Sequence, residues 1–225
     1  MAGPQWEDDP RDSAEINAGA GRADLSAVSA ATQRKSPTLQ LVFDWHREIY
    51  KDAKHIPSDQ YVGNIRDTDH SLPHLVGCQV VVGSYLGVDS SLVPKALKRF
   101  ESELQVRIAD LDRTCPAGTR ITNPTEIDDV LAVAAWAHGE WIRIHPFVNG
   151  NGRTARLWAL WCVVRYGLPP FIRAKPRPEP LGQSQVLGWP ADAYDRASAL
   201  SMAGQHDWTE ILFRQFLVEA LTGLR

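Results

Sequence analysis

A histidine followed by a run rich in glycine and arginine, His145-Pro-Phe-Val-Asn-Gly-Asn-Gly-Arg-Thr-Ala-Arg156, holds the side chains best suited to chemistry. Gly150, Asn151 and Gly152 let the backbone come close to a bulky ligand, because two of these positions lack a side chain. The residues after Gly152, Arg-Thr-Ala-Arg-Leu-Trp-Ala-Leu-Trp161, have helical composition and spacing. The unpaired N–H groups at such a helix start, with the positive end of its dipole, make an anion site. Arg153 and Arg156 are three apart, so both can grip phosphate oxygens from one face of the first turns. An imidazole a few residues ahead of a phosphate cradle puts a base beside a nucleotide. That chemistry is phosphoryl or nucleotidyl transfer.

The elements on either side must position this run. Asn123-Pro-Thr-Glu126 has a cap, a proline at the first helical position and a glutamate three after the cap, which together read as a helix start. The helix continues through Val130, Leu131, Val133, Ala134, Ala137 and Trp141 to Ile144. It is apolar nearly all round, which predicts a central, buried helix that delivers His145 to a turn. After the run, Leu157, Leu160, Trp161 and Val164 form a core stripe, Gly167 stops the helix and Pro169-Pro170 prevents its continuation. Trp158 and Trp161 read as packing aromatics.

Earlier helices are expected after Ser36-Pro37, with Leu39, Leu41, Val42, Trp45 and Ile49 at helical spacing, and from Val93-Pro94 to about Asp112, with Leu97, Phe100, Leu104 and Ile108 on one stripe. Two more close the chain. One runs from Pro190 to Ala203; the other starts at a capping box, Asp207-Trp-Thr-Glu210. Between residues 61 and 83 the character changes to glycine, asparagine and aspartate with a β-prone end, Gln79-Val-Val-Val82. This predicts a short hairpin with Gly63-Asn-Ile-Arg66 as one arm and a second arm near Val76 to Val82. The proline-rich loop after Phe171 carries Arg173, Lys175 and Arg177 and reads as solvated.

The run from His145 to Arg156 resembles the signature of the Fic (Fido) family, His-Pro-Phe-x-Asp/Glu-Gly-Asn-Gly-Arg-x-x-Arg. Every fixed position matches except Asn149, which replaces the acid. The resemblance covers residues 36–225. It implies a mainly α fold, a Fic-type helical bundle with an inserted β-hairpin, the flap, beside the active site. It also implies a protein adenylyltransferase, in which a Ser, Thr or Tyr hydroxyl of a target protein attacks the α-phosphate of ATP and becomes AMPylated.

On that resemblance His145 is the general base, and Gly150, Asn151, Gly152, Arg153 and Arg156 bind the nucleotide phosphates, the Asn151 amide helping. The target protein docks on the hairpin near residues 61–83, and Gly63-Asn-Ile-Arg66 is similar to the Gly-x-x-Arg that often opens it. The family's acid ligates Mg²⁺, so Asn149 is expected to give a weakened metal site, coordinating through its carbonyl without a charge. Gly152 stands where phosphotransferase relatives carry lysine, which favours nucleotidyl transfer. The alternatives are transfer of another nucleotide or a phosphate group, or a non-catalytic binding module. Many relatives also carry an inhibitory helix, Ser/Thr-x-x-x-Glu-Gly/Asn. Here Ser13-Ala-Glu-Ile-Asn17 offers only a degenerate copy, with Asn17 at the glutamate position. Two expectations correspond: a constitutively active enzyme, or a separate antitoxin-like chain that supplies the glutamate, with this protein as the toxin of a toxin–antitoxin pair.

Composition sets outer bounds. At 225 residues, 44% hydrophobic and 23% charged, the chain suits one globular domain with a tail. A formal net charge of −3 gives no electrostatic reason to expect nucleic acid as a partner. Cys78, Cys115 and Cys162 are scattered and odd in number, so they read as free thiols. No run approaches membrane-spanning length, and a cytoplasmic location is expected. Residues 1–35, rich in Ala, Gly, Asp and Ser, read as a flexible segment with little to bury. His138-Gly-Glu140 has the His-x-Glu spacing of zinc deaminases but lacks their Pro-Cys-x-x-Cys partner. Both residues therefore read as polar positions on the buried helix.

Overall fold

Asn123 caps the helix around which the others gather. Its side-chain oxygen accepts the Thr125 N–H at 2.9 Å, Pro124 takes the first helical position, and α4 runs Pro124–Ile144. A computed structural model describes residues 6–66, 72–82, 85–118, 121–172 and 193–223. Within these residues the other helices are α1 (Ser13–Thr32), α2 (Leu39–Tyr50), α3 (Val93–Thr114), α5 (Asn151–Arg165), α6 (Ala193–Met202) and α7 (Asp207–Thr222). α4 packs against α3, α5, α6 and α7, while α1 lies across α2 and α5. The fold is mainly α, as expected, and α4 is central and buried on nearly every side.

The core is unusually aromatic. Trp158 of α5 makes edge contacts with Trp45, Trp141 and Trp161, and all four indoles are fully buried. Each such side chain stabilises the fold by roughly 1.5–3 kcal/mol through burial alone, so α2, α4 and α5 form one rigid block behind the site. Trp158 and Trp161 are packing aromatics, as their spacing predicts. Gly167, at φ +77°, ends α5, and its N–H and that of Leu168 bond back to Val164 and Val163.

Three expectations need correction. First, residues 13–32 are a packed helix, not a flexible tail. Ile16, Gly19, Ala23, Ala27, Ala30 and Ala31 are buried. A Cβ on Gly19 would lie 2.3 Å from the Ile49 carbonyl oxygen. The small residues that suggested disorder are there to bring two helix backbones together. Asn17, the position compared with an inhibitory glutamate, is on the exposed side of α1.

Second, the hairpin is shorter and later than predicted. β1 (Val81–Val82) pairs antiparallel with β2 (Tyr85–Leu86), with Val81 opposite Leu86 and Val82 opposite Tyr85. The Gly63–Arg66 segment is not a strand, because the Arg66 N–H donates to the Pro146 carbonyl at 2.7 Å instead of to a ladder.

Third, α7 does not use its capping box. The helix starts after His206, whose carbonyl accepts from Thr209 and Glu210, and the Glu210 carboxylate is drawn to Arg214. The loop carrying Arg173, Lys175 and Arg177, and the expected start of α6 at Pro190, lie outside the described residues.

Candidate active site

α4 ends by turning His145 into the left-handed region, φ 53° and ψ 58°, with its N–H still bonded to the Trp141 carbonyl. This conformation is uncommon for a residue with a Cβ. It lifts the imidazole out of the helix register at the place where the chain turns toward α5. His145 Nδ1 lies 3.1 Å from the Ile142 carbonyl. A carbonyl only accepts, so Nδ1 carries the proton and Nε2 keeps its lone pair free. Burial pushes the His145 pKa down to about 4, and the nearby Arg66 charge acts the same way. At neutral pH the imidazole is therefore an unprotonated base.

Arg66 fixes this turn. It is fully buried, and its guanidinium is committed to carbonyls: Nε to His145 (2.7 Å), Nη1 to Cys78 (2.8 Å), Nη2 to Val88 (2.8 Å) and Ile144 (3.1 Å). The negative dipole end of α4 helps compensate its charge. One side chain thus joins the base-bearing turn to the segments before and after the hairpin.

Phe147 anchors the next residue. It is completely buried, stacked 3.9 Å from the His46 ring and in contact with Phe43 and Trp141. Asn151 binds it on both sides: its Oδ1 accepts the Phe147 N–H and its Nδ2 donates to the Phe147 carbonyl, each at 2.9 Å. The Asn151 amide therefore holds the turn closed, and what remains to meet an anion is its backbone N–H. The first helical bond of α5 runs from Thr154 N–H to the Gly150 carbonyl, so the N–H groups of Asn151, Gly152 and Arg153 open the helix.

The glycines differ in purpose. Gly150 has φ +80°, and a Cβ there would lie 2.9 Å from His46 Nε2 and 3.0 Å from Tyr50. At Gly152 a Cβ would meet only Arg156 Nη1, at 3.5 Å, an ordinary contact. Gly152 therefore leaves room on the open side of the helix start, where a ligand would approach.

His46 sets the loop from behind. It is fully buried; its Nδ1 accepts the Gly63 N–H at 2.9 Å, so Nε2 carries the proton and donates to the Asn149 carbonyl at 3.0 Å. Burial pushes its pKa down to about 4. Arg153 pairs with Asp8, and its Nη1 donates to the Tyr50 hydroxyl at 3.0 Å. Arg156 donates to the Tyr194 hydroxyl at 3.2 Å and lies over that ring. The two arginines are thus held by α2, α6 and the N-terminal segment, contacts that their own sequence neighbourhood does not announce.

Asn149 has both ends of its amide engaged. Oδ1 accepts the Gly150 N–H at 2.7 Å, and Nδ2 donates to Asp8 Oδ1 at 2.8 Å. The partners, one a donor and one an acceptor, fix which way the amide points. Among the described residues no group of three or more His, Cys, Asp or Glu side chains is placed to hold a metal ion. His138 and Glu140 are structural: His138 Nε2 is 2.8 Å from the Tyr194 hydroxyl, and Glu140 pairs with Arg99, Arg143 and His206. The three cysteines are free and buried.

Three histidines held neutral by burial give a stability prediction. The pKa values of His46 and His145 are pushed down to about 4 and that of His138 to about 3, from 6.5 when unfolded. As pH falls below 6.5 the unfolded chain takes up protons first, so stability present above 6.5 is lost on the way to pH 4. Each histidine contributes up to roughly 1.4 kcal/mol per pH unit. The melting temperature should drop between pH 6.5 and 4.5, and a flat profile there would mean that the three rings are solvated.

A model of the Fic/DOC family matches residues 36–163. The chain is 30% identical over 131 residues to protein adenylyltransferase fic-1 of Caenorhabditis elegans, an alignment covering 58% of this chain and 20% of that protein. It is 52% identical over 42 residues to protein adenylyltransferase Fic of Drosophila melanogaster, covering 19% of this chain and 8% of that protein. The chain thus spans a fifth or less of the length of these relatives. Among solved structures, a Fic domain containing signaling protein from Bacteroides thetaiotaomicron is 20% identical with a TM-score of 0.49, over 73% of this chain and 53% of that one.

Proposed function

Because the chain belongs to the Fic/DOC family, we propose that it is a protein adenylyltransferase, moving AMP from ATP to a Ser, Thr or Tyr hydroxyl of a target protein. The observation that carries this reading is the free Nε2 of a neutral His145 at one end of a closed turn, with the open N–H groups of α5 at the other. In the reaction the target oxygen bonds to the α-phosphorus as the bond to the bridging oxygen of pyrophosphate breaks. His145 Nε2 takes the hydroxyl proton. The N–H groups of Asn151, Gly152 and Arg153 face the α- and β-phosphates. Arg153 and Arg156 offset the charge that grows on pyrophosphate.

Mg²⁺, when bound, would neutralise phosphate oxygens. Asn149 turns an amide N–H, not its oxygen, toward the neighbouring side chain, and the charged oxygens at that place belong to Asp8.

The hairpin supports docking of the target segment. Val81 and Leu86, opposite one another, are 57% and 70% exposed. Gly87 follows β2, and a Cβ on it would lie 3.2 Å from both the His145 Cβ and Arg66 Nη2. A chain laid along this hairpin would run beside the base. Among the described residues no helix is long and apolar enough to cross a membrane. Inhibition by a separate antitoxin-like chain fits the exposed position of Asn17, which offers no carboxylate to Arg156, although Asp24 of the same helix lies near enough to feel that arginine's charge.

The test is transfer of label to protein in a lysate. Label at the α-phosphate of ATP should appear on protein, whereas label at the γ-phosphate should not. Transfer from the γ-position alone would make the enzyme a phosphotransferase.

A further inference from the structure

We infer that Asp8, far away in sequence, supplies the carboxylate for this site's divalent cation, with Asn149 as the residue that holds it in place. The inference rests on the nucleotidyl-transfer reading above. Asn149 offers a cation only a neutral amide oxygen, one lone pair of which already accepts the Gly150 N–H at 2.7 Å. Its Nδ2 donates instead to Asp8 Oδ1 at 2.8 Å, while Asp8 Oδ2 pairs with Arg153 and the Tyr50 hydroxyl lies 3.3 Å from Oδ1. Carboxylates that bind metal ions are themselves held by outer hydrogen bonds of this kind. Mg²⁺ commonly takes one or two carboxylates and completes its shell with substrate phosphates and water. The Asp8 side chain is 27% exposed, and Oδ2, which accepts from Arg153, keeps a second lone pair for a cation.

The N-terminal segment is built into the fold on both sides of Asp8. Trp6 is buried, stacked on Tyr61 and packed against Tyr50 and His46. Asp12 is buried and accepts the N–H groups of Lys54 and His55, at 3.0 and 2.7 Å, and lies 2.8 Å from His55 Nδ1. Two anchors fix the carboxylate between them, which suits a permanent part of a site better than a removable plug. Charge points the same way. A triphosphate drawn to Arg153 and Arg156 meets the negative Asp8 at once, and a divalent cation between them removes that repulsion.

The test measures Mn²⁺ bound to the full chain by electron paramagnetic resonance, in the presence of a non-hydrolysable ATP analogue. Asp8→Asn, nearly the same shape, should weaken Mn²⁺ at least tenfold while leaving metal-free binding of the analogue intact or tighter. Asp8→Ser should do the same, and thermal melts check that both variants fold. Adding Asn149→Asp to Asp8→Asn should restore Mn²⁺ affinity, because a carboxylate returns to the same place. Unchanged Mn²⁺ affinity in Asp8→Asn and Asp8→Ser, with the analogue bound more tightly with and without metal, would overturn the proposal and make Asp8 a plug on Arg153. A wild-type chain that binds no analogue with or without Mn²⁺ would instead remove the nucleotide site, and the inference with it.

Discussion

Replacing His145 by alanine should lower label transfer by about 10²–10⁴-fold, the range for loss of a positioned general base, while the nucleotide still binds. The imidazole does not hold the loop in place: its Nδ1 contact is to Ile142, one turn back, and the turn is closed by Arg66, Phe147 and Asn151. Nucleotide affinity, read by titration, should therefore change little, and the melting temperature should stay near that of the wild type. Equal transfer by the variant would remove His145 from the mechanism. The depressed pKa also gives the pH profile its shape. In the free enzyme the base form persists well below the ordinary histidine range, so kcat/KM should show no acid limb near pH 6.5 and should fall as pH approaches 4.

The second large effect is expected at Arg156. A hydrogen bond to a charged group contributes about 1.5–3 kcal/mol, which corresponds to roughly 10- to 150-fold in affinity. Arg156→Ala should raise the KM for ATP within that range. Tyr194→Phe, which removes the hydroxyl that receives Arg156 Nη1 and also pairs with His138 Nε2, should raise KM less, with a melting temperature lowered by the unpaired His138. An unchanged KM in Arg156→Ala with a lower kcat would show instead that this arginine acts only in the transition state.

Much of this was legible in the chain. α3, α4 and α5 carry long apolar stripes with clear starts and stops, signals that tertiary contacts rarely override, and the run from His145 to Arg156 keeps its residues in one turn and one helix start. Local spacing therefore located the turn that carries His145 and the helix start that faces it. What it could not show was how distant elements complete the site. Asp8, His46, Tyr50 and Tyr194 reach the loop only because α1, α2 and α6 pack beside α4 and α5, and nothing in their own neighbourhoods marks them.

The N-terminal helix was misjudged for a physical reason. Glycine and alanine suggest a tail when hydrophobic mass is counted, yet Gly19 and Ala23 are what allow α1 to press its backbone against α2. Arg66 gave a partial signal. The sequence predicts it at the end of the hairpin's first arm, close to its true place, but its burial among the carbonyls of Cys78, Val88, Ile144 and His145 was not readable.

The reading of this site as an adenylyltransferase is tested most directly by finding the bond it makes. Purified chain, ATP, a divalent cation and a labelled target from lysate should give tandem mass spectra with AMP on a Ser, Thr or Tyr oxygen. One pyrophosphate should be released for each AMP transferred, and neither product should accumulate with His145→Ala. Target peptides carrying phosphate alone, or ATP turned over without any adduct on protein, would contradict the account.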